Sequence, residues 1–140
     1  MTRLCTLGVW LVLLWLVTMP AWALGPYSST VIRVLDGDTI EVEAEVWLGQ
    51  KVRTFVRFDG IDTPELKGKC EFEKLLAREA KLFVEQRVTD GVTIDNVRPD
   101  KYGDRVLATV TAKGVDLGQQ LVEARLARVY LGEKKTGWCP

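Results

Sequence analysis

Apolar and polar residues alternate along two stretches of the chain, residues 40–46 and 51–58, and this period of two is the pattern of half-buried β-strands. In the first stretch three glutamates occupy the polar positions. A short apolar run precedes them and stops at Asp36-Gly37, a dipeptide that is typical of hairpin turns. The other predicted strands are residues 31–35, 91–97 and 105–112. The chain is therefore predicted to contain five short strands.

The spacing of apolar residues becomes helical from Glu71 to about Val88. The predicted buried stripe consists of Phe72, Leu75, Leu76, Ala80, Phe83 and Val84. A second helix is predicted from Asp116, which begins a capping box with Gln119, to about Arg125. Residues 24–30 are interpreted as a Gly/Pro/Ser lead-in and residues 134–140 as a polar tail. Five strands with a helix inserted after the third predict a five-stranded OB-fold barrel with two helices, mainly β in content (α+β).

The first 23 residues have the pattern of a secretory signal peptide. Arg3 provides a cationic start, residues 4–17 form an apolar run that is short for a bilayer, and Ala21-Trp22-Ala23 is a small-x-small cleavage pattern. The alternative is an uncleaved anchor. With cleavage, we expect an exported domain, residues 24–140, that is periplasmic or secreted and has no stable membrane association.

The chain has 140 residues with no histidine, three cysteines and equal numbers of basic and acidic residues, 19 of each. Without histidine there is no Ser-His-Asp triad, no Cys-His pair and no HExxH zinc site. Cys5 lies in the leader, so export would leave Cys70 and Cys139 as an even pair in an oxidising compartment. A disulfide between them would stabilise the fold by about 4 kcal/mol on the chain-entropy model. The alternative is two unpaired thiols.

Three polar clusters at the predicted strand ends carry the candidate chemistry: residues 36–39 (DGDT), residues 62–65 (DTPE) and residues 100–105 (DKYGDR). Each alone is compatible with an ordinary solvated turn. Asp38 has the parity of Ile40 and Val42, so an unbulged strand would aim it into the barrel, where a carboxylate needs a cation as partner. An EF-hand loop is excluded because Ile40 and Glu41 occupy positions that require Asp or Asn and Gly.

Taken together, these motifs resemble the staphylococcal-nuclease-like (thermonuclease) family. The matching pattern is DGDT, then Arg57 with DTPE after four residues, then DKYG followed by Arg105, and it runs from about Val31 to Val129. The resemblance implies an OB barrel and calcium-dependent hydrolysis of DNA or RNA that leaves 3′-phosphate ends. It also implies a substrate of single-stranded or locally opened nucleic acid, and we expect a monomer.

The resemblance implies a role for each matching residue. Asp38 and Asp62 look like the carboxylate ligands of Ca²⁺, Thr63 like the residue that contributes a backbone carbonyl, and Asp36 like an outer-shell residue. Arg57 and Arg105 resemble the phosphate-clamping arginines and Glu65 the general base. Lys101 and Tyr102 resemble the pair that lines the nucleotide pocket, whereas a base-stacking role near Tyr130 is left open.

Three features depart from the family pattern. Asp104 makes the loop before Arg105 one residue longer; if Arg105 cannot swing back to the phosphate, we expect turnover to fall sharply while metal binding survives. The third, C-terminal helix of longer members is missing, and a Cys70–Cys139 bond would instead pin the tail to the first helix. An acidic segment, residues 28–65, precedes a more basic remainder, so local cations matter more than a global positive field. The alternative function is a catalytically silent OB-fold module that binds nucleic acid or a protein; a retaining glycosidase is a distant third.

Overall fold

A computed structural model describes residues 25–140, so the predicted signal peptide and its cleavage site lie outside the described residues. The strands are β1 (Tyr27–Asp36), β2 (Thr39–Trp47), β3 (Gln50–Phe58), β4 (Ile61–Asp62), β5 (Val92–Pro99), β6 (Arg105–Ala112), β7 (Val115–Asp116) and β8 (Arg128–Val129). The helices are α1 (Glu71–Glu85) and α2 (Leu117–Glu123). Within residues 25–140, no helix combines the length and the apolar character needed to cross a bilayer.

Five strands close into a barrel. β1, β2 and β3 form an antiparallel meander, β5 pairs with the other edge of β1, and β6 joins β5 to β3. The closing pair, β3 and β6, is parallel and places Arg57 opposite Leu107. The predicted five-stranded OB-fold barrel with two helices is therefore confirmed.

The first strand is longer than predicted. Residues 27–30, interpreted as a lead-in, belong to β1, and Tyr27, Ser28 and Ser29 pair with β5. Serine and threonine hide the alternation here, although Tyr27 packs against the core and backbone hydrogen bonds hold the segment against β5. β4, β7 and β8 were not predicted, since two-residue strands are too short to show a period.

Helix α1 begins at the predicted residue, but the side that it buries is different. Its buried residues are Glu73, Ala77, Ala80 and Val84, whereas Phe72 and Leu75 are each about half exposed. Small residues let the helix lie close to the β1–β2 turn: a Cβ added to Gly37 would come within 2.6 Å of the Ala80 Cβ. The predicted stripe was wrong at Phe72 and Leu75, because a close approach to the barrel selects alanine over larger side chains.

Helix α2 starts as predicted. The Asp116 carboxylate accepts a hydrogen bond from the Gln119 N–H at 3.1 Å, which caps the helix. The Gln119 side chain bonds Glu123 instead of returning to the cap, so only half of the capping box forms.

The predicted disulfide between Cys70 and Cys139 is present, with its Cα atoms 6.0 Å apart. It ties the last residues of the chain to the N-cap position of α1. The C-terminal tail, residues 130–140, therefore lies beside the loop that connects β4 to α1.

Candidate active site

A large open cleft of about 1070 Å³ lies on the barrel between the β1–β2 turn, the loop after β4, the β5–β6 loop and the C-terminal tail. Most of the predicted site residues line it: Asp36, Asp38, Arg57, Glu65, Lys101, Tyr102 and Arg105. Asp62 and Thr63 lie behind this surface and are almost fully buried. Residues that are far apart in sequence therefore converge on one surface.

Asp38 is buried at one end of the cleft, as its parity predicted, with only 6% of its surface exposed. One carboxylate oxygen accepts hydrogen bonds from the Thr39 hydroxyl at 2.9 Å, and the other accepts from the Thr63 N–H at 3.3 Å. The Phe58 N–H bonds the Asp38 carbonyl at 2.8 Å, so the turn is fastened to the end of β3. These bonds fix the direction of the carboxylate before any ligand arrives.

Arg57 links the two predicted metal-binding carboxylates. Its Nη2 lies 3.3 Å from Oδ2 of Asp38 and 3.5 Å from Oδ1 of Asp62, and only 13% of its side chain is exposed. Arg57 is therefore not an ordinary surface charge. Its guanidinium lies near both acids and offsets one of their two negative charges.

The charge balance at this end favours an added cation. Oδ1 of Asp62 is buried without a hydrogen bond of ordinary geometry, although Nη2 of Arg57 lies 3.5 Å away and the Lys135 ammonium contacts it. Burial and the neighbouring charge of Asp38 raise the pKa of Asp36 to about 7. Crowded carboxylates and an oxygen without a directional partner are what a hard cation such as Ca²⁺ would satisfy. The residues present therefore fit a calcium ion held by Asp38 and Asp62.

Glu65 lies on the loop between β4 and α1, at the rim of the cleft. Partial burial of its carboxyl raises its pKa; the ammonium of Lys135 works against this, and the charges of Asp38 and Asp62 add to it. A carboxylate with a raised pKa is a better proton acceptor than an ordinary one. Glu65 therefore has the chemistry of a general base.

The backbone under Glu65 is held by Glu73, a buried residue in the first turn of α1. The Glu73 carboxylate accepts hydrogen bonds from the N–H of Glu65 at 3.3 Å and of Lys69 at 3.0 Å. A Cβ on Gly68 would come within 2.5 Å of that carboxylate, so the loop wraps closely around it. Glu73 was not identified from the sequence as part of the site. Its place on the same helix face as Ala80 and Val84 was the signal that it is buried.

The other end of the cleft is formed by the β5–β6 loop. Arg105 donates a hydrogen bond from Nε to the Asp100 carboxylate at 2.6 Å, and its guanidinium lies 5.0 Å from the Tyr102 ring centre. Burial opposes the effect, but the bonds from Arg105 and the Lys101 N–H lower the pKa of Asp100. With this longer loop, Arg105 lines the cleft and pairs with Asp100.

One residue of the site was missed entirely. Lys135, in the segment interpreted as a polar tail, reaches into the cleft, and its ammonium contacts Oδ1 of Asp62. Burial works against it, but this contact raises the pKa of Lys135. The sequence signal for Lys135 was indirect: it was Cys139, four residues later, whose bond to Cys70 places the tail near the site.

A second group of possible ligands lies behind the loop. Among residues 25–140, Cys70, Glu73 and Cys139 place one donor atom each within 4.8 Å of one another. The two sulfurs are bonded to each other, so neither is a thiolate that could ligate a metal. This cluster is therefore structural.

Comparison with known proteins agrees with the geometry. The family model described as "Staphylococcal nuclease homologue" matches residues 55–137, more than half of the chain. A protein of Methanocaldococcus jannaschii, described as uncharacterised, is 29% identical in an alignment 132 residues long. The alignment covers 75% of this chain. The chain spans about 60% of the length of that relative. The chain belongs to the staphylococcal nuclease homologue family.

Proposed function

We propose that this member of the staphylococcal nuclease homologue family is a calcium-dependent nuclease that hydrolyses phosphodiester bonds of DNA, RNA or both. One observation carries the proposal: carboxylates and arginines from separate segments converge on a single open cleft. Buried acids lie at one end of this cleft and exposed cations at the other. A polyanionic substrate and a hard cation are complementary to these two ends.

Asp38 and Asp62 would hold the calcium ion, and Thr63 would contribute its backbone carbonyl, with Asp36 outside this set. When bound, calcium would supply Lewis-acid polarisation of a phosphoryl oxygen. The protein prepares for this by fixing the Asp38 carboxylate through the Thr39 hydroxyl and the Thr63 N–H. Little reorganisation is then needed at the moment of binding.

Arg57 and Arg105 would bind the phosphate that is cleaved. A guanidinium suits this task because it stays protonated and donates two parallel hydrogen bonds to phosphoryl oxygens. Both side chains are on the cleft wall, but each is paired with a carboxylate in this structure. Binding of substrate would therefore exchange the Asp38 and Asp100 pairs for phosphate contacts.

Glu65 would accept a proton from the attacking water. The water oxygen bonds to phosphorus, the bond to the 5′ oxygen breaks, and the products carry a 3′-phosphate and a 5′-hydroxyl. The support is the position of Glu65 at the rim of the cleft and the raised pKa of its carboxyl. Its backbone is held by Glu73, which limits how far the base can move.

Lys101 and Tyr102 would line the nucleotide pocket. Tyr102 is 55% exposed, so its ring is free to stack on a base of a single-stranded or locally opened substrate. Because stacking tolerates any base, Tyr102 would impose little sequence preference on the substrate. The working unit would be a monomer, because every element of the proposed site comes from one chain.

Export from the cytoplasm is part of the proposal. The N-terminal pattern predicts a signal peptide of residues 1–23 and a mature protein of residues 24–140 that is periplasmic or secreted and free of the membrane. The Cys70–Cys139 disulfide supports this, because disulfides persist in oxidising compartments and are rare in the cytosol.

The decisive experiment measures hydrolysis of denatured DNA and of RNA by residues 24–140 with Ca²⁺ and after EGTA is added. We expect cleavage with calcium, none with EGTA, and 3′-phosphate ends. Glu65→Gln and Arg105→Ala should each lose most activity while their circular-dichroism spectra stay native. Binding without cleavage at every calcium concentration and alkaline pH would overturn the proposal.

A silent nucleic-acid-binding or protein-binding module is the second candidate, and the Arg105–Asp100 pair is the observation that favours it. If Arg105 stays with Asp100 when substrate binds, the phosphate loses one clamp. Asp100→Asn separates the two candidates. Release of Arg105 would raise the rate of hydrolysis by a nuclease, whereas a silent binder would show no hydrolysis before or after the substitution.

A further inference from the structure

The C-terminal tail brings a lysine onto one of the proposed calcium ligands. The Lys135 ammonium contacts Oδ1 of Asp62, the same buried oxygen that lacks a directional hydrogen bond. The Asp62 side chain is 10% exposed and the Lys135 side chain 46%, so the ammonium covers the carboxylate from the solvent side.

The segment that carries Lys135 is held on both sides. Before it, the Tyr130 N–H bonds the Gly60 carbonyl at 2.8 Å, and β8 pairs with β4, the strand that contains Asp62. After it, the Cys139 sulfur is bonded to Cys70 at the start of α1. Lys135 is therefore delivered to Asp62 by the fold, and its position does not depend on the ion pair alone.

A side chain inside the tail adds a third restraint. The Arg128 guanidinium lies 3.7 Å from the Trp138 ring centre, and the same side chain donates to the Thr136 hydroxyl at 2.8 Å and the Gly137 carbonyl at 3.0 Å. These contacts fold residues 136–138 back onto β8. The tail therefore forms a closed turn, and the Lys135 side chain extends from it to Asp62.

We propose that Lys135 is a built-in competitor of calcium at Asp62, and that the Cys70–Cys139 disulfide keeps it there, so that the tail lowers the calcium affinity of the site. This inference rests on the proposed calcium site. A calcium ion at Asp62 must either displace the ammonium or remain beside it. Displacement loses the ion pair, and coexistence places two positive charges close together, so both routes weaken calcium binding.

The test is calorimetric titration of calcium into metal-stripped residues 24–140, which reports affinity without any need for activity. We expect Lys135→Met to bind calcium about tenfold more tightly, a coupling of the usual size between two ligands of one site. Lys134→Met is the matched control: it removes the same charge from the exposed neighbouring residue, and its calcium affinity should equal that of the wild type.

The role of the disulfide has its own variant. Cys70→Ser combined with Cys139→Ser frees the tail while leaving Lys135 in the sequence, and it should also tighten calcium binding. If this variant does not fold, Lys135→Met alone decides the proposal. Lys135→Met should fold, because the Lys135 side chain is half exposed and is not part of the hydrophobic core.

The outcomes separate the inference from the proposed function. Saturable binding that Asp62→Asn abolishes, with equal affinity in wild type and Lys135→Met, overturns the inference and leaves the calcium site standing. Weaker binding in Lys135→Met also overturns it. No saturable binding in either protein overturns both the site and the inference.

Discussion

The two ends of the cleft are built in different ways. At the carboxylate end (Asp36, Asp38, Asp62 and Glu65), the aspartates are held by strands, by packing against α1 and by backbone hydrogen bonds. At the loop end (residues 98–105), Arg98, Lys101 and Tyr102 are mostly exposed; Arg98 lies at the end of β5, and the other two lie on the loop that follows. The rigid carboxylate end suits the proposed metal site, whose ligands need fixed positions. The exposed loop end suits the proposed binding of flexible single strands.

The strongest test of the carboxylate end is Asp62→Asn. Removing one anionic ligand should lower hydrolysis about a thousandfold, because both the metal and the charge that it stabilises are affected. Calcium should then no longer raise the melting temperature in a thermal scan.

Asp59→Asn is the control, since Asp59 lines the same cleft but pairs with Arg98 at the loop end. We expect this variant to keep its calcium-dependent stabilisation. Calcium stabilisation of normal size in Asp62→Asn would remove Asp62 from the ligand set.

Glu73→Gln tests whether rigidity at the carboxylate end matters for turnover. The N–H groups of Glu65 and Lys69 bond different oxygens of Glu73, and an amide has only one acceptor oxygen, so one of the two bonds is lost and the loop should loosen. We expect kcat to fall about tenfold with KM nearly unchanged, measured well below the melting temperature.

Glu71→Gln changes the same residue type in the same helical turn at an exposed position, and it should leave kcat at the wild-type value. A loss in Glu73→Gln that tracks only the unfolded fraction would make Glu73 a purely structural residue.

Tyr102→Ala tests the loop end, where the effect should be smaller and of a different kind. Loss of one stacking surface should weaken binding of a single-stranded oligonucleotide about fivefold, while kcat at saturation stays close to normal. Fluorescence anisotropy without calcium measures this directly. Tyr102→Phe keeps the ring and should bind like the wild type; a large fall in kcat would place Tyr102 with the carboxylate end instead.

The last prediction concerns stability and not hydrolysis, and its variant is Asp36→Asn in metal-free protein. The pKa of Asp36 is raised by burial and by Asp38 to about 7, so the folded state holds this proton more tightly than the unfolded state. Its stabilising contribution is complete at low pH and is lost as the pH rises from about 4 through 7. Asparagine removes that loss, so the variant should melt about 15 °C higher than wild type at pH 8 and at a similar temperature at pH 4. An equal difference in melting temperature between variant and wild type at pH 4 and pH 8 would contradict this prediction.

The barrel could be predicted because its signals are local. Alternation of residues 40–46 and 51–58 reports which face is buried, and Asp116 followed by Gln119 marks a helix start. The α1 stripe failed in part because the hydrophobic pattern does not reveal that Gly37 approaches Ala80, a contact between segments more than forty residues apart.

The acidic half of the site followed from residues 36–39 and 62–65, but the roles carried over from the family remain predictions. What could not be predicted was the use of charged residues by the fold. Glu73 is buried because loop N–H groups need an acceptor, and Lys135 reaches Asp62 because a disulfide redirects the tail. Both depend on contacts between segments, which periodicity within one segment does not report.

The parallel contact between β3 and β6 has a consequence for when the proposed active site is assembled during folding. Arg57 and Arg105 come from these two strands, so the two arginines share a cleft wall only after the barrel has closed. Pairing of strands so distant in sequence is slow compared with local hairpin formation. A chain that ends before β6 would carry the acids without the second arginine. In refolding experiments, recovery of hydrolysis should therefore report the closure of the barrel itself, later than the appearance of the β1–β2–β3 meander.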